Sequence, residues 1–213
     1  MYKAVAFDFD YTLGDTTNGI VASVNYALKT LGHAEKSVPE IKRTIGLSLK
    51  ETFAVLMGSR DVEQSERFAA LFREKADEVM TDSATLYDSV PEILRELHKT
   101  HKIAIVTTKF HYRIEAILNK FGVFKFVDAI VGGEDVTREK PDPEGLLKAS
   151  DALGVRKSEV LYVGDSLVDA RTAANAGVDF AAVLTGTTAD FSGYDSVFIG
   201  ERVSEVCRFV IKE

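Results

Sequence analysis

From about residue 83 onward, short apolar runs alternate with amphipathic segments, and this alternation restricts the fold more than any other feature. Strands are predicted for KIAIVTT (102–108), DAIVGG (128–133), EVLYVGD (159–165), DFAAVLT (179–185) and SVFI (196–199), with KAVAF (3–7) before them. Helices are predicted for PEILRELHKT, YRIEAILNKFG, DPEGLLKASDALG, LVDARTAANAG and SEVCRFVIK. This order predicts an α/β fold, a parallel Rossmann-like sheet core with helices on both faces.

Residues 16–82 have a different pattern, because no convincing strand interrupts them. A helix capped by Thr16 or Thr17 and ended by Gly32 is predicted first, and further helices are predicted near VPEIKRTI, LKETFAVLM and DVEQSERFAALFREKADEVM. We therefore expect a core formed by 1–15 and 83–213, with an all-α module inserted at 16–82.

Composition excludes several classes of protein. The 213 residues are 46% hydrophobic and 28% charged, and the formal net charge of −7 disfavours binding to nucleic acid or an anionic membrane. A single cysteine, Cys207, rules out an internal disulfide framework and a Cys-rich metal site. The first residues lack the apolar stretch of a secretory signal, so we expect a cytoplasmic protein that does not contact membranes.

Charged and hydroxyl side chains follow several of the predicted strands. Asp8 and Asp10 follow the first strand, and Thr107 ends a later one. Lys140 follows DAIVGG in the segment EKPDP, while Asp165 and Asp169 follow LYVG. Because parallel strands bring their carboxyl ends to one edge of the sheet, we expect these side chains to meet there. Each alone has an ordinary explanation as a turn former, helix cap or solvated loop residue, but their conjunction favours a site.

The mixture of groups indicates chemistry on phosphate. Crowded carboxylates repel and require a cation, and oxygen ligands without His or Cys suit Mg²⁺. Asp8 is then the expected nucleophile, which attacks phosphorus and forms an aspartyl-phosphate. Lys140 would neutralise charge and Thr107 would donate a hydrogen bond to the phosphoryl group. Asp10 would protonate the leaving group and then take a proton from water.

FDFDYTLGDT, IVTTK, EKPDPEGLLKA and YVGDSLVDARTAANAG resemble, in order, the four motifs of the haloacid dehalogenase-like hydrolase superfamily, in particular its phosphoglycolate phosphatase-like branch. The resemblance implies that the helical insert is a cap domain. It implies Asp8 as nucleophile, and Asp10 as acid/base that offers its backbone carbonyl to Mg²⁺. The implied metal set is Asp8, Asp10, Asp165 and Asp169, and the implied phosphate-binding residues are Thr107, Thr108 through its N–H, and Lys140. Lys109 is implied as a phosphate, substrate or loop residue.

Tyr11 departs from the family pattern, which usually has Gly after the second Asp. Gly serves turns with unusual dihedral angles. We therefore expect Tyr11 to adopt an ordinary backbone conformation, or its ring to be held by packing under the cap. A Tyr here would narrow the entrance for substrate, or it is a simple packing substitution.

The cap is expected to decide specificity. The segment IKRTIGLSLKETF (41–53) resembles the cap loop that faces the active site in this branch. Gly46 would allow a close backbone approach, and Arg43 and Lys50 would meet an anionic tail of the substrate. Both charged residues are also typical of solvated helix surfaces.

The function predicted from these residues is a Mg²⁺-dependent phosphatase acting on a small phosphomonoester, such as phosphoglycolate or a sugar phosphate. A β-phosphoglucomutase-like mutase and an inorganic pyrophosphatase are open alternatives, whereas Asp10 argues against a dehalogenase. Outside the enzymes, a phospho-receiver domain is disfavoured by the Asp-x-Asp spacing and the insert, and a silent binding protein by the intact core residues. A monomer and a homodimer are both compatible with the sequence.

Overall fold

A computed structural model of the chain describes residues 1–212, and these form two compact units. One unit comprises Met1–Asp15 and Leu86–Glu213, and the other comprises Thr16–Thr85. The sequence predicts that the chain returns to the core at residue 83, but the last helix of the inserted unit continues to Ser83. Over the described residues, no helix combines the length and apolar composition needed to cross a bilayer.

The sheet unit is built on six parallel strands. Eight strands are described for residues 1–212, six in this sheet and two in a separate short pair. In chain order they are β1 (Ala4–Phe7), β2 (Gly14–Asp15), β3 (Thr85–Leu86), β4 (Lys102–Val106), β5 (Ala129–Val131), β6 (Val160–Gly164), β7 (Asp179–Val183) and β8 (Phe198–Gly200). The sheet order is β5-β4-β1-β6-β7-β8, and every pair in it is parallel. The two-residue strands β2 and β3, which the sequence did not predict, lie where the chain passes between the units.

Nine helices are described for residues 1–212. They are α1 (Thr17–Thr30), α2 (Val38–Lys42), α3 (Leu49–Met57), α4 (Val62–Ser83), α5 (Val90–Leu97), α6 (His111–Lys120), α7 (Glu144–Leu153), α8 (Leu167–Ala176) and α9 (Val203–Lys212). Helices α7 and α8 pack on one face of the sheet, whereas α5 and α9 cover the other. The predicted fold class, a parallel sheet with helices on both faces, is therefore confirmed.

The central strands are mostly apolar and buried because both faces of the sheet are covered, although β4 and β7 begin with the exposed Lys102 and Asp179. All four residues of β1 are buried, as are the five residues of β6. Several strand ends were predicted up to two residues too far, for example Thr108 instead of Val106, whereas KAVAF ends with β1 and SVFI stops one residue before the end of β8. Strands β4 and β5 follow on one side of β1, whereas β6, β7 and β8 follow on its other side. Ligands of open α/β sheets bind at such a switch point, outside the carboxyl ends of the strands.

The helical unit consists of α1 to α4. Helices α1 and α4 pack along their length, and α3 packs against α4. Phe53 and Phe68 are fully buried between these helices, with ring centroids 5.5 Å apart. Thr16 is the N-cap residue of α1, as the sequence predicted, although its hydroxyl makes no capping bond to the helix; Gly32 follows the helix with a positive φ of 81°.

Candidate active site

The register of the central strands brings Asp8, Thr107 and Asp165 to one edge of the sheet. Phe7 of β1 is aligned with Ile105 of β4 and with Val163 of β6. Asp8 follows Phe7 directly, and the other two residues lie two positions beyond its partners. The N–H of Asp8 donates to the Val163 carbonyl at 2.8 Å, so the pairing extends to the first acid.

Three of the predicted carboxylates form one buried cluster. Carboxylate oxygens of Asp8, Asp165 and Asp169 all lie within 4.8 Å of one another. Asp169 comes from the first turn of α8, where it forms a capping box with Ser166, whose hydroxyl donates to Asp169 Oδ2 at 2.5 Å. Gly164 makes this packing possible, because a Cβ there would lie 2.4 Å from the Asp169 Cβ.

Lys140 reaches the same cluster from the segment between β5 and α7. Its Nζ lies 2.7 Å from Asp8 Oδ1, 2.7 Å from Asp169 Oδ1 and 3.2 Å from the Tyr162 hydroxyl. An ammonium has three N–H donors, and these three oxygens match them. Burial alone would lower the pKa of Lys140, but the carboxylates of Asp169 and Asp8 outweigh it and hold the pKa well above its usual value.

Burial sets the protonation behaviour of the acids. Burial raises the pKa of Asp8 to about 7, although Lys140 opposes the shift. Burial and the neighbouring carboxylates of Asp169 and Asp8 raise the pKa of Asp165 to about 9. The cluster thus has three carboxylates but one ammonium, which contacts two of them, and the excess of negative charge is what a cation would relieve.

Asp10 lies outside this cluster and has a different partner. Its Oδ2 lies 2.8 Å from Nζ of Lys109, and both side chains are buried. The family resemblance implies that Lys109 is a phosphate, substrate or loop residue, whereas its ammonium contacts the second aspartate. Thr107 is also buried, and its Oγ1 accepts the Lys109 N–H at 3.2 Å. Thr108 is partly buried beside them.

Tyr11 does not adopt an ordinary backbone conformation, so the first of the two expectations for this residue was wrong. Its φ is +59°, which places it in the left-handed region that Gly usually occupies. The turn requires it: Tyr11 N–H donates to the Gly14 carbonyl at 2.7 Å, and the Thr185 hydroxyl donates to the Tyr11 carbonyl. The Tyr11 side chain is buried, and this burial offsets a strain of roughly 1–2 kcal/mol.

Tyr162 is a functional candidate that the sequence did not single out. It lies on the face of the sheet covered by α8, and its hydroxyl donates to Asp169 Oδ1 at 2.9 Å or to the Val106 carbonyl at 3.2 Å. In the sequence Tyr162 is one of the five residues of the apolar run VLYVG, and the pattern of the run does not distinguish it from its neighbours there. A tyrosine inside a fully buried strand is the available signal, because its hydroxyl needs a polar partner.

The remaining predicted residues lie in the helical unit. Gly46 has a φ of +92° in the segment between α2 and α3. Arg43 follows α2 and is exposed, and Lys50 near the start of α3 pairs with Glu66 at 3.4 Å.

The ends of β1, β4 and β6, the segment after β5 and the first turn of α8 thus hold these acids, lysines and the threonine near the carboxyl edge of the sheet. The model of the haloacid dehalogenase-like hydrolases matches residues 5–183. The chain belongs to this family, and it is a phosphatase of the family.

Particular relatives cover nearly the whole chain. It is 33% identical over 207 residues to a pyrophosphatase PpaX of Bacillus velezensis, covering 95% of this chain and 94% of the relative. It is 38% identical over 191 residues to a phosphoglycolate phosphatase of Cereibacter sphaeroides, covering 85% of each. A crystal structure of a haloacid dehalogenase-like hydrolase from Bacteroides fragilis superimposes with a TM-score of 0.93 at 41% identity, covering 97% of this chain and 100% of that one.

Proposed function

We propose that the protein is a Mg²⁺-dependent phosphatase that hydrolyses a small phosphomonoester through an aspartyl-phosphate on Asp8. The observation that carries the proposal is the buried cluster of Asp8, Asp165 and Asp169 with Lys140 in contact. A phosphate ester approaching the carboxyl ends of the strands would meet the nucleophile and the lysine together.

The donor set fits Mg²⁺. All three side chains offer oxygen, two of them have raised pKa values because they are buried together, and a hard divalent cation prefers such ligands. Asp8 and Asp165 would bind the ion through their carboxylates, Asp10 through its backbone carbonyl, and Asp169 from the edge of the cluster. When bound, Mg²⁺ neutralises charge on the phosphate and on the carboxylates.

In the first half of the reaction, an Asp8 oxygen forms a bond to phosphorus while the bond from phosphorus to the leaving oxygen breaks. The Asp10 carboxyl gives its proton to that oxygen. Thr107 and the Thr108 N–H hold the phosphoryl oxygens, and Lys140 balances their charge. In the second half, water attacks phosphorus, the Asp10 carboxylate takes the proton of the water, and Asp8 is released with inorganic phosphate.

A pyrophosphatase is the second candidate, because a relative matched over 94% of its length carries that name. The same residues would serve it, with phosphate as leaving group. The relative named phosphoglycolate phosphatase supports the first candidate equally. The substrate is expected to be a small phosphorylated metabolite in either case.

The test is phosphate release from a panel that includes phosphoglycolate and pyrophosphate, with Mg²⁺, with EDTA, and with the variant Asp8→Asn. We expect metal-dependent turnover that Asp8→Asn abolishes and that the surface control Asp151→Asn preserves. The better of the two substrates decides between the candidates. Turnover that persists in a folded Asp8→Asn protein would overturn the aspartyl-phosphate mechanism.

A further inference from the structure

Two lysines contact the two aspartates that the proposed reaction uses, and Lys140 is the one that reaches the cluster of Asp8, Asp165 and Asp169. Lys140 contacts Asp8, whereas Lys109 contacts Asp10 at 2.8 Å. The Lys109 and Asp10 side chains are 8% and 6% exposed, so this ion pair is nearly as buried as the first. A charge-assisted hydrogen bond in such surroundings is short and directional, and it fixes the orientation of the carboxylate.

Both main-chain polar groups of Lys109, its N–H and its carbonyl, make hydrogen bonds. Its N–H donates to Thr107 Oγ1 at 3.2 Å, and its carbonyl accepts the Gly133 N–H at 2.9 Å. The loop after β5 comes so close that a Cβ at Gly133 would lie 2.6 Å from the Thr108 carbonyl oxygen. The segments that follow β4 and β5 therefore fix the position of the Lys109 backbone.

The start of α6 is tied to the same loop. The carboxylate of Glu134 accepts the His111 N–H at 2.8 Å, and Asp135 Oδ2 lies 3.1 Å from His111 Nδ1 and accepts the Gly132 N–H at 2.8 Å. Residues 132–135 thus hold residues 108–111 along their length. A lysine held this firmly and covered from solvent is suited to position a neighbour rather than to follow a mobile substrate.

We propose that Lys109 is a positioning residue that holds the Asp10 carboxylate for hydrolysis of the aspartyl-phosphate, and that it does not contact the substrate. The inference rests on the proposed function, in which Asp10 acts twice. When the leaving group departs without a proton, Asp10 is needed only in the second half, where it must be oriented to take a proton from the attacking water. Loss of Lys109 should therefore slow the second half of the reaction more than the first.

The substrate p-nitrophenyl phosphate separates the two halves, because nitrophenolate leaves without needing a proton. A rapid burst of nitrophenolate reports formation of the aspartyl-phosphate, and the steady rate reports its hydrolysis. For Lys109→Met we expect the burst to remain while the steady-state kcat falls roughly 10- to 100-fold, which is within the contribution of a positioned acid/base. Phosphorylated protein should then accumulate, as seen by acid quenching and intact mass.

Three variants accompany the measurement. Lys109→Gln keeps an N–H donor without charge and replaces Lys109→Met if that protein does not fold. Lys125→Met removes an exposed lysine of the same unit and should behave as the wild type. The pair of Asp10→Asn and the double variant Lys109→Met/Asp10→Asn should have equal kcat, because the lysine acts through the aspartate.

The outcomes distinguish this inference from the proposed function. A raised KM with unchanged kcat in the Lys109 variants would mean a substrate contact, and equal slowing of both halves would mean a role in the scaffold; either result overturns the inference. If Asp10→Asn accumulates phosphorylated protein and the Lys109 variants do not, only the inference fails. If Asp10→Asn turns over like the wild type, the proposed role of Asp10 fails.

Discussion

Lysine–carboxylate pairs occur in both units, but their surroundings differ. In the sheet unit, Lys140 is 5% exposed and lies 2.7 Å from Asp8 and from Asp169. In the helical unit, Lys50 and Glu66 are 64% and 61% exposed and lie 3.4 Å apart. Removing one partner of a buried pair leaves an uncompensated charge, whereas an exposed pair exchanges its partner for water at little cost. Burial therefore marks which pairs the protein depends on.

The largest effect is expected from Lys140→Met. Two buried carboxylates would lose their ammonium, and in EDTA the free energy of unfolding should fall by about 3–5 kcal/mol. Phosphatase turnover should be lost as well. Urea unfolding and phosphate release measure the two effects, with Lys125→Met as control. Wild-type stability and turnover in Lys140→Met would show that the cluster does not need its lysine.

The effect of Asp165→Asn on stability is expected to depend on whether metal is present. In EDTA the variant should be at least as stable as the wild type, because it removes one of three crowded carboxylates and leaves Asp8 and Asp169 paired with Lys140. In Mg²⁺ the wild type should gain about 1–2 kcal/mol at roughly ten times the dissociation constant, and the variant should gain less. Thermal unfolding with and without Mg²⁺ measures this. An equal gain in both proteins would place the ion elsewhere.

Tyr162→Phe tests the neutral member of the buried cluster. The ring remains, but Lys140 and Asp169 lose a hydroxyl at 3.2 and 2.9 Å. The free energy of unfolding should fall by about 1–2 kcal/mol, and turnover should fall less than in Lys140→Met. The matched control is Tyr194→Phe, whose more exposed hydroxyl accepts from Arg171 at 2.7 Å. Equal losses in both variants would contradict the importance of burial.

Glu144→Gln probes the segment that carries Lys140. The Glu144 carboxylate pairs with Lys148 and accepts from Thr137 Oγ1 at 2.6 Å, from the Thr137 N–H at 3.0 Å and from the Arg138 N–H at 3.0 Å. These contacts lower its pKa to about 2, from an ordinary 4.5.

A lowered pKa in the folded state stabilises the protein fully above the unfolded value, and the stabilisation is lost as the pH falls through the folded value. The wild type should thus exceed Glu144→Gln in stability above about pH 5. The difference should shrink toward pH 2, in unfolding measured at several pH values. The exposed Glu92→Gln is the matched control. A difference that does not change with pH would contradict the assigned contacts.

Features of this molecule that depend on neighbouring residues in the chain could be predicted from the sequence, whereas features that depend on residues far apart in the chain could not. The strand-and-helix alternation and the carboxyl-end position of Asp8, Thr107 and Asp165 follow from local periodicity and the geometry of parallel sheets. The partner of Lys109 and the role of Tyr162 depend on packing between distant segments, which a single sequence does not encode visibly. Tyr11 was misjudged because residue preference disfavours a positive φ, yet hydrogen bonds and burial impose it.

The smallest effect on stability is expected from Lys50→Met in the helical unit. Its pair with Glu66 is exposed, so the free energy of unfolding should change by no more than about 0.5 kcal/mol. Activity is the sharper measurement, because the sequence predicts that Lys50 meets an anionic part of the substrate. In that case KM should rise for a substrate with a free carboxylate, while kcat stays near the wild-type value. Lys75→Met, which removes the partner of Glu78 in the same unit, is the control. An unchanged KM in Lys50→Met would leave Lys50 as an ordinary surface lysine, and specificity would then have to be sought in Arg43 and the segment around Gly46.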